Sequence, residues 1–146
     1  MNIEQLEYLE NLEYLEKELI LTDFTNDNAL ELGLIIINLA KAQKNPVAIL
    51  IERDNVPIFT YLMENASIEC IPMLYRKKRI VDQYNKSSAY ISCFSPLEFK
   101  SLGGSFPLRI KNVGVVGSVS VASYSGIIDH NITVEGLQQF IRFYED

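Results

Sequence analysis

Apolar and polar residues alternate along this chain in patterns that predict helices separated by short strands. The first helix spans residues 3–19, where Tyr8, Leu12, Leu15 and Leu19 form an apolar stripe beside several glutamates. The rest of the chain is predicted as a strand over 19–24, a helix over 27–44, strands over 47–53 and 57–63, a helix over 70–86, a strand over 88–94, an irregular segment over 95–106, one or two strands over 107–123 and a helix over 129–144. Hairpins mixed with helices favour an α+β fold, with a mostly antiparallel sheet covered by helices.

The second predicted helix is apolar on more than one side, so its interior face has to be chosen from spacing. Leu30, Leu34 and Ile37 recur at intervals of three and four residues. We therefore expect these three side chains to face the interior, flanked by Ile36 and Ala40, with Gly33 on the same face.

Composition and charge narrow the class of protein. The chain has 146 residues, of which 48% are hydrophobic and 22% charged, which fits one folded domain over residues 1–146 led by the helix over 3–19. A net charge of −6 gives no electrostatic basis for nucleic-acid binding, and no apolar run of about 18 residues predicts a membrane span. Cys70 and Cys93 lack metal-ligand spacing, and we expect them to be reduced thiols of a cytoplasmic protein.

Lys77 interrupts the apolar face of the third long predicted helix. The apolar residues of this face are Cys70, Met73, Leu74, Ile80, Val81 and Tyr84. At about 100° per residue, Lys77 falls at the centre of the face and Arg76 on its flank. A lysine in such a position extends to solvent, pairs with a carboxylate or lines a cavity. The functional hypothesis is that Lys77 and Arg76 hold an anionic ligand; the structural alternative is a lysine at the rim of the helix.

His130 is the only histidine, and it falls on the apolar face of the closing helix in its first turn. Asp129 beside it is predicted to cap that helix. The positive end of the helix dipole disfavours a charged imidazole, so we expect a neutral ring with a nitrogen lone pair. Such a ring suits an axial metal ligand, a proton acceptor or a structural hydrogen bond.

The segment Gly103-Gly104-Ser105 forms a predicted backbone corner ahead of a β-branched run. The two glycines can adopt a positive φ angle and permit close approach of a ligand or of another part of the chain. We therefore include Gly103, Gly104 and Ser105 among the candidate ligand-binding residues.

Several reaction classes lack their sequence signatures here. The chain has no Gly-x-Ser-x-Gly elbow and no phosphate-binding glycine loop with a lysine. A single histidine and two separated cysteines do not form a metal-ligand cluster. No catalytic residue and no metal site are predicted, and whether the chain is an enzyme is left open.

The segment from Gly103 to Val121, with Asp129-His130 and a helix after it, resembles the uncharacterised UPF branch of the haem-degrading HbpS/GlcG-like family. Arg76-Lys77 and Ser87-Ser88 match the Arg-Lys and Ser-Ser signature of that branch, and the resemblance extends over nearly the whole chain. It implies a profilin-like, three-layer α/β/α fold with a five-stranded sheet. It also implies assembly into homo-oligomers and a possible relation to haem.

Two functions remain open from the sequence. The first is a cytoplasmic, oligomeric protein that binds a small anionic ligand, such as haem or a related tetrapyrrole. Its predicted site is formed by Arg76, Lys77, Gly103, Gly104, Ser105 and His130. The second is a non-catalytic interaction module, in which the acidic first helix and the aromatic closing segment Phe140–Tyr144 build a homo-oligomer or dock a partner protein.

Overall fold

The computed structural model describes residues 1–95 and 101–145. Its helices are α1 (Ile3–Glu18), α2 (Asn26–Ala42), α3 (Cys70–Tyr84), α4 (Ser88–Ser92) and α5 (Gly126–Tyr144). Its strands are β1 (Ile20–Leu21), β2 (Ala48–Arg53), β3 (Val56–Leu62), β4 (Ser105–Ile110) and β5 (Gly114–Ala122). Of the predicted irregular segment 95–106, residues 96–100 lie outside the described residues.

The five strands form one sheet in the order β1-β4-β5-β2-β3. All neighbours pair antiparallel except β1, which runs parallel to β4. Helices α2 and α5 pack on one face of this sheet around a large apolar core, and α3 packs on the other face around a smaller one. The predicted α+β class and three-layer α/β/α arrangement are confirmed.

The predicted strand over 88–94 is wrong, because Ser88–Ser92 forms the short helix α4. The hydroxyl of Ser87 accepts a hydrogen bond from the backbone N–H of Tyr90 and caps this helix. Five helical residues are too few to show a helical period, so the β-branched and aromatic content suggested a strand. The helix is therefore recognised from its capping contact and not from its composition.

The predicted interior face of α2 is only partly right, because Gly33, Ile36 and Ala40 on it are buried but its two leucines are not. Leu30 and Leu34 are each 50% exposed, and the buried side chains are those of Ala29, Leu32, Ile36 and Ala40. Because apolar residues occur on several sides of α2, their spacing did not determine which side would meet the sheet. Two large leucines consequently remain on the surface.

None of the helices within residues 1–95 and 101–145 is long and apolar enough to cross a membrane. Cys70 and Cys93 are both buried and unpaired.

Candidate functional site

Lys77 ends in the interior, where it joins the two helical layers. Its side chain is 1% exposed, and its ammonium lies 2.8 Å from a carboxylate oxygen of Asp129, which is fully buried on α5. The same ammonium donates to the carbonyl oxygen of Val121 near the end of β5, at 3.0 Å. Of the three possibilities for a lysine on an apolar face, the structure shows pairing with a carboxylate.

Asp129 is held from a second side by Ser123. The backbone N–H of Ser123 donates to Asp129 Oδ2 at 2.8 Å, and the Ser123 hydroxyl donates to Oδ1. Asp129 was predicted as a cap, but the N-cap of α5 is Ser125, and the helix begins three residues earlier than predicted. Asp129 therefore lies within the first turn of α5, where it pairs with Lys77 and accepts hydrogen bonds from Ser123.

Burial acts on both members of this ion pair. It raises the pKa of Asp129 and lowers the pKa of Lys77, while the attraction between the two charges opposes both shifts. The ammonium is therefore already matched by a carboxylate of the chain itself, and an anionic ligand would have to compete with Asp129.

The glycine corner approaches the same ion pair. Gly104 has a φ of +131°, and a Cβ atom built on it would lie 2.3 Å from the Val121 carbonyl oxygen and 3.0 Å from Lys77 Nζ. A Cβ atom on Gly103 would lie 2.9 Å from that of His130. Both positions exclude larger residues, because the close approach that the sequence predicted is made by the chain itself.

Polar contacts fix this corner to its surroundings. The carbonyl oxygen of Gly104 accepts from the N–H of Val121 and from the hydroxyl of Thr133, each at 2.9 Å. The Ser105 hydroxyl lies 2.7 Å from that of Ser120, and its N–H donates to the Ser88 hydroxyl at 3.0 Å. The corner Gly103-Gly104-Ser105 is thus joined by side chains to β5, α4 and α5.

His130 lies next to this corner and is 4% exposed. Burial lowers its pKa from 6.5 to about 4, so the imidazole is neutral near pH 7. The predicted neutral state agrees with this direction of the pKa, and the cause that the structure shows is burial. The Tyr8 ring on α1 packs against the imidazole in an edge-to-face arrangement, with the ring centroids 6.3 Å apart and the ring planes at 70°. The structure shows no hydrogen bond from the imidazole to any residue in 1–95 or 101–145.

Arg76 does not join the group, since it lies on the exposed side of α3. The structure therefore brings together Lys77, Gly103, Gly104, Ser105 and His130, with Arg76 outside. Within the described residues, no three His, Cys, Asp or Glu side chains are grouped so that they could hold a metal ion.

The sequence did not identify Asp129 as the partner of Lys77, and it did not indicate a role for Ser123 or Thr133. A buried lysine requires a carboxylate, and Asp129 was an available one on an apolar helix face. The pairing links residues 52 positions apart, and no local pattern identifies such a contact.

Residues 24–138 match the sequence model described as haem degrading protein HbpS-like. A UPF0303 protein of Streptomyces coelicolor is 33% identical over 144 residues, covering 89% of this chain and 91% of the relative. A UPF0303 protein of Yersinia enterocolitica is 30% identical over 155 residues, covering 97% and 91%.

Solved structures show the same fold. Ybr137w superposes with a TM-score of 0.83 at 23% identity, covering 95% of this chain and 92% of that one. HbpS superposes with a TM-score of 0.67 at 18% identity, covering 81% and 90%. The complex of PduOC with haem superposes with a TM-score of 0.58 at 14% identity, covering 79% and 93%.

Proposed function

The chain belongs to the HbpS-like family of haem-degrading proteins, and on that premise we propose that it binds haem or a related anionic tetrapyrrole through His130. The observation that carries the proposal is the buried, neutral imidazole of His130. A neutral imidazole has a lone pair available for iron, and histidine is a common axial ligand of haem. When bound, haem iron would supply oxygen chemistry of its own.

The cover over His130 sets the condition for binding. At 4% exposure the imidazole is out of reach of a large ring, and the Tyr8 ring of α1 packs against it. Because Tyr8 covers the imidazole, the proposal requires that α1, or at least Tyr8, moves away before a tetrapyrrole reaches it. Helix α1 lies before residues 24–138, the segment that matches the family.

The other candidate residues take different parts in this proposal. Lys77 is a positioning residue, because its ion pair with Asp129 fixes the first turn of α5, which carries His130. The glycine corner supports the same turn from β4. Arg76 lies outside the group around His130, so its proposed part is limited to a carboxylate of the ligand that extends to the exposed side of α3.

Haemin titration followed by visible spectroscopy tests the proposal. The wild type should show a saturable Soret shift, and His130→Ala should lose it because the iron ligand is gone. Added imidazole should restore the shift in His130→Ala if the variant still binds the porphyrin. Tyr8→Ala should bind haemin faster than the wild type. A saturable shift that is equally strong in His130→Ala would reject His130 as the ligand.

A second candidate function is homo-oligomerisation or partner docking, and the exposed leucines of α2 favour it. Leu30 and Leu34 are half-exposed one turn apart, and Phe143 and Tyr144 are exposed at the end of α5. Neighbouring exposed apolar side chains, such as Leu30 and Leu34 on α2, are typical of interaction sites. Light scattering should then give a mass above 16.6 kDa for the wild type and a lower mass for Leu34→Glu.

We further propose that residues 1–146 fold as one domain that includes α1, and that the protein is cytoplasmic. The packing of Leu12 on α1 against Ala89 and Cys93 supports a single domain. The two free, buried cysteines support a reducing compartment. Limited proteolysis should release no stable fragment lacking α1 if the first part is right.

A further inference from the structure

A cleft of about 390 Å³ lies between the C-terminal end of α2 and the end of β3, away from His130. Its lining includes Lys41, Lys44 and Asn45 from the end of α2, and Tyr61 and Met63 from the end of β3. This volume is in the range of small-molecule sites in proteins. The lining from the end of α2 is also anchored to the interior, since the Asn45 amide lies within hydrogen-bond distance of the Ser123 hydroxyl.

The charge of this cleft is opposite in sign to that of the whole chain. The lining contains two lysines and one carboxylate, that of Glu64, on a protein of net charge −6. Within the described residues, neither Lys41 nor Lys44 has an ion-pair partner. Two ammonium groups are therefore available to a ligand from solvent.

The backbone at the end of α2 presents these lysines. Carbonyl groups at a helix end repel anions, but here Asn45 N–H donates to the Ala40 carbonyl and Lys44 N–H to the Lys41 carbonyl. This is the pattern of a Schellman motif, whose left-handed position is usually glycine. Lys44 occupies that position with a φ of +53°. Lys44 thus places a long side chain at a backbone position where glycine would be less strained.

The lining from the end of β3 supplies apolar contact. Met63 is 6% exposed and Tyr61 is 46% exposed, so the lining includes one nearly buried thioether side chain and one accessible aromatic ring. Thioethers and aromatic rings pack well against apolar rings and chains. A ligand that satisfies both parts of the lining combines an apolar body with a negatively charged group.

We propose that this cleft binds a small carboxylate, phosphate or sulfonate carried on an apolar ring or chain. The lysines attract and hold the anionic group, and Met63 and Tyr61 contact the apolar body. The site is separate from His130, and it does not require that haem binds to this protein.

The test uses 1-anilinonaphthalene-8-sulfonate as the probe and uncharged N-phenyl-1-naphthylamine as its comparison, both followed by fluorescence. We expect saturable binding of the sulfonate, with at least roughly tenfold weaker binding of the uncharged compound, the ratio of one charged hydrogen bond. Equal affinity for the two compounds would reject recognition of an anion.

Lys44→Gly separates binding from stability. Glycine relieves the left-handed backbone, so the Tm should rise by about 2–4 °C, whereas the Kd of the sulfonate should rise about tenfold. Lys41→Gln should weaken binding in the same direction. If neither variant changes the Kd, the proposal is wrong.

Two matched variants control for conformation and for charge. Asn112→Gly changes another left-handed residue, with a φ of +64°, in the turn between β4 and β5. Lys111→Gln removes an exposed charge in the same turn. Both should leave the Kd of the sulfonate unchanged. His130→Ala should also leave it unchanged, so a failure of haem binding and a failure of this cleft are distinguishable. Loss of the sulfonate in His130→Ala alone would place the anion elsewhere and overturn the proposal.

Discussion

The two faces of the sheet are built from different kinds of side chain. Towards α2 and α5 the central strands present Ile49, Ile51, Phe106, Val119 and Val121, all fully buried. Towards α3 the same strands present Ala48, Leu50, Glu52, Ser105, Ser118 and Ser120. The face towards α2 and α5 is stabilised because its apolar area is removed from water. On the face towards α3, the contribution of each polar group to stability depends on whether it has a hydrogen-bond partner.

The face of the sheet towards α3 contains buried polar and charged side chains that stability alone does not require. Its serines and Glu52 are buried, and Lys77 reaches past the end of β5 to Asp129 on the other layer. Replacing a buried ion pair with apolar residues is often neutral or stabilising, so such a pair is weak evidence for stability. This pair fixes the turn that holds His130, and the variants below test how far the two faces differ.

The largest effect is expected when one member of the ion pair is removed. Lys77→Met leaves the buried Asp129 carboxylate without its ammonium and should lower the free energy of unfolding by about 3–5 kcal/mol. Urea denaturation measures it. The double variant Lys77→Met/Asp129→Asn, which removes both charges, should recover most of the loss. A single variant within about 1 kcal/mol of the wild type would show that the pair does not hold the layers together.

The next effect is a dependence of stability on pH through His130. Its folded-state pKa of about 4 is below the usual 6.5, so the unfolded chain binds a proton that the folded protein does not. The contribution of His130 to stability is complete above pH 6.5 and is lost progressively as the pH falls from 6.5 to about 4. We expect a loss of about 3 kcal/mol from this group.

Thermal unfolding between pH 7 and pH 4 measures this slope, with His130→Phe as the control. The variant should lose stability less steeply over that interval, because it has no imidazole to protonate. Asp129 lies in the same turn and titrates as well, which is why the difference between the two proteins is the relevant quantity. Parallel curves would contradict the lowered pKa.

A smaller effect is expected on the apolar face. Ile49→Val removes one buried methylene from a packed core and should cost about 1 kcal/mol. Chemical denaturation of this variant measures how strongly the free energy of unfolding depends on packing at the face towards α2 and α5. A cost near zero would mean that this core is loosely packed.

The smallest effect is expected at Ser118 on the polar face. Its hydroxyl is buried and has no hydrogen-bond partner within residues 1–95 and 101–145, so Ser118→Ala should change stability by less than about 0.5 kcal/mol or increase it. Ser120→Ala is the matched variant, because it leaves the Ser105 hydroxyl without its 2.7 Å partner and should cost about 1–3 kcal/mol. Equal costs would show that Ser118 has a partner in solution.

Local pattern was sufficient where an element is long and amphipathic or where its turn has a defined chemistry. The stripe of Leu12, Leu15 and Leu19 predicted α1, and these leucines are buried. The turn at Asp54-Asn55 was predicted between two strands, and both residues adopt a positive φ angle there. Such signals arise from interactions within a few residues and are therefore readable along the chain.

The sequence by itself determined that Lys77 and His130 would lie on apolar helix faces, since helical geometry fixes the angular position of each side chain. Only the tertiary structure decided that Asp129 neutralises Lys77, that Tyr8 covers His130 and that Leu30 and Leu34 face outward. These outcomes depend on which distant segments pack together. That choice is made by the whole core at once, because each buried polar group must find its partner while the apolar surfaces close around it.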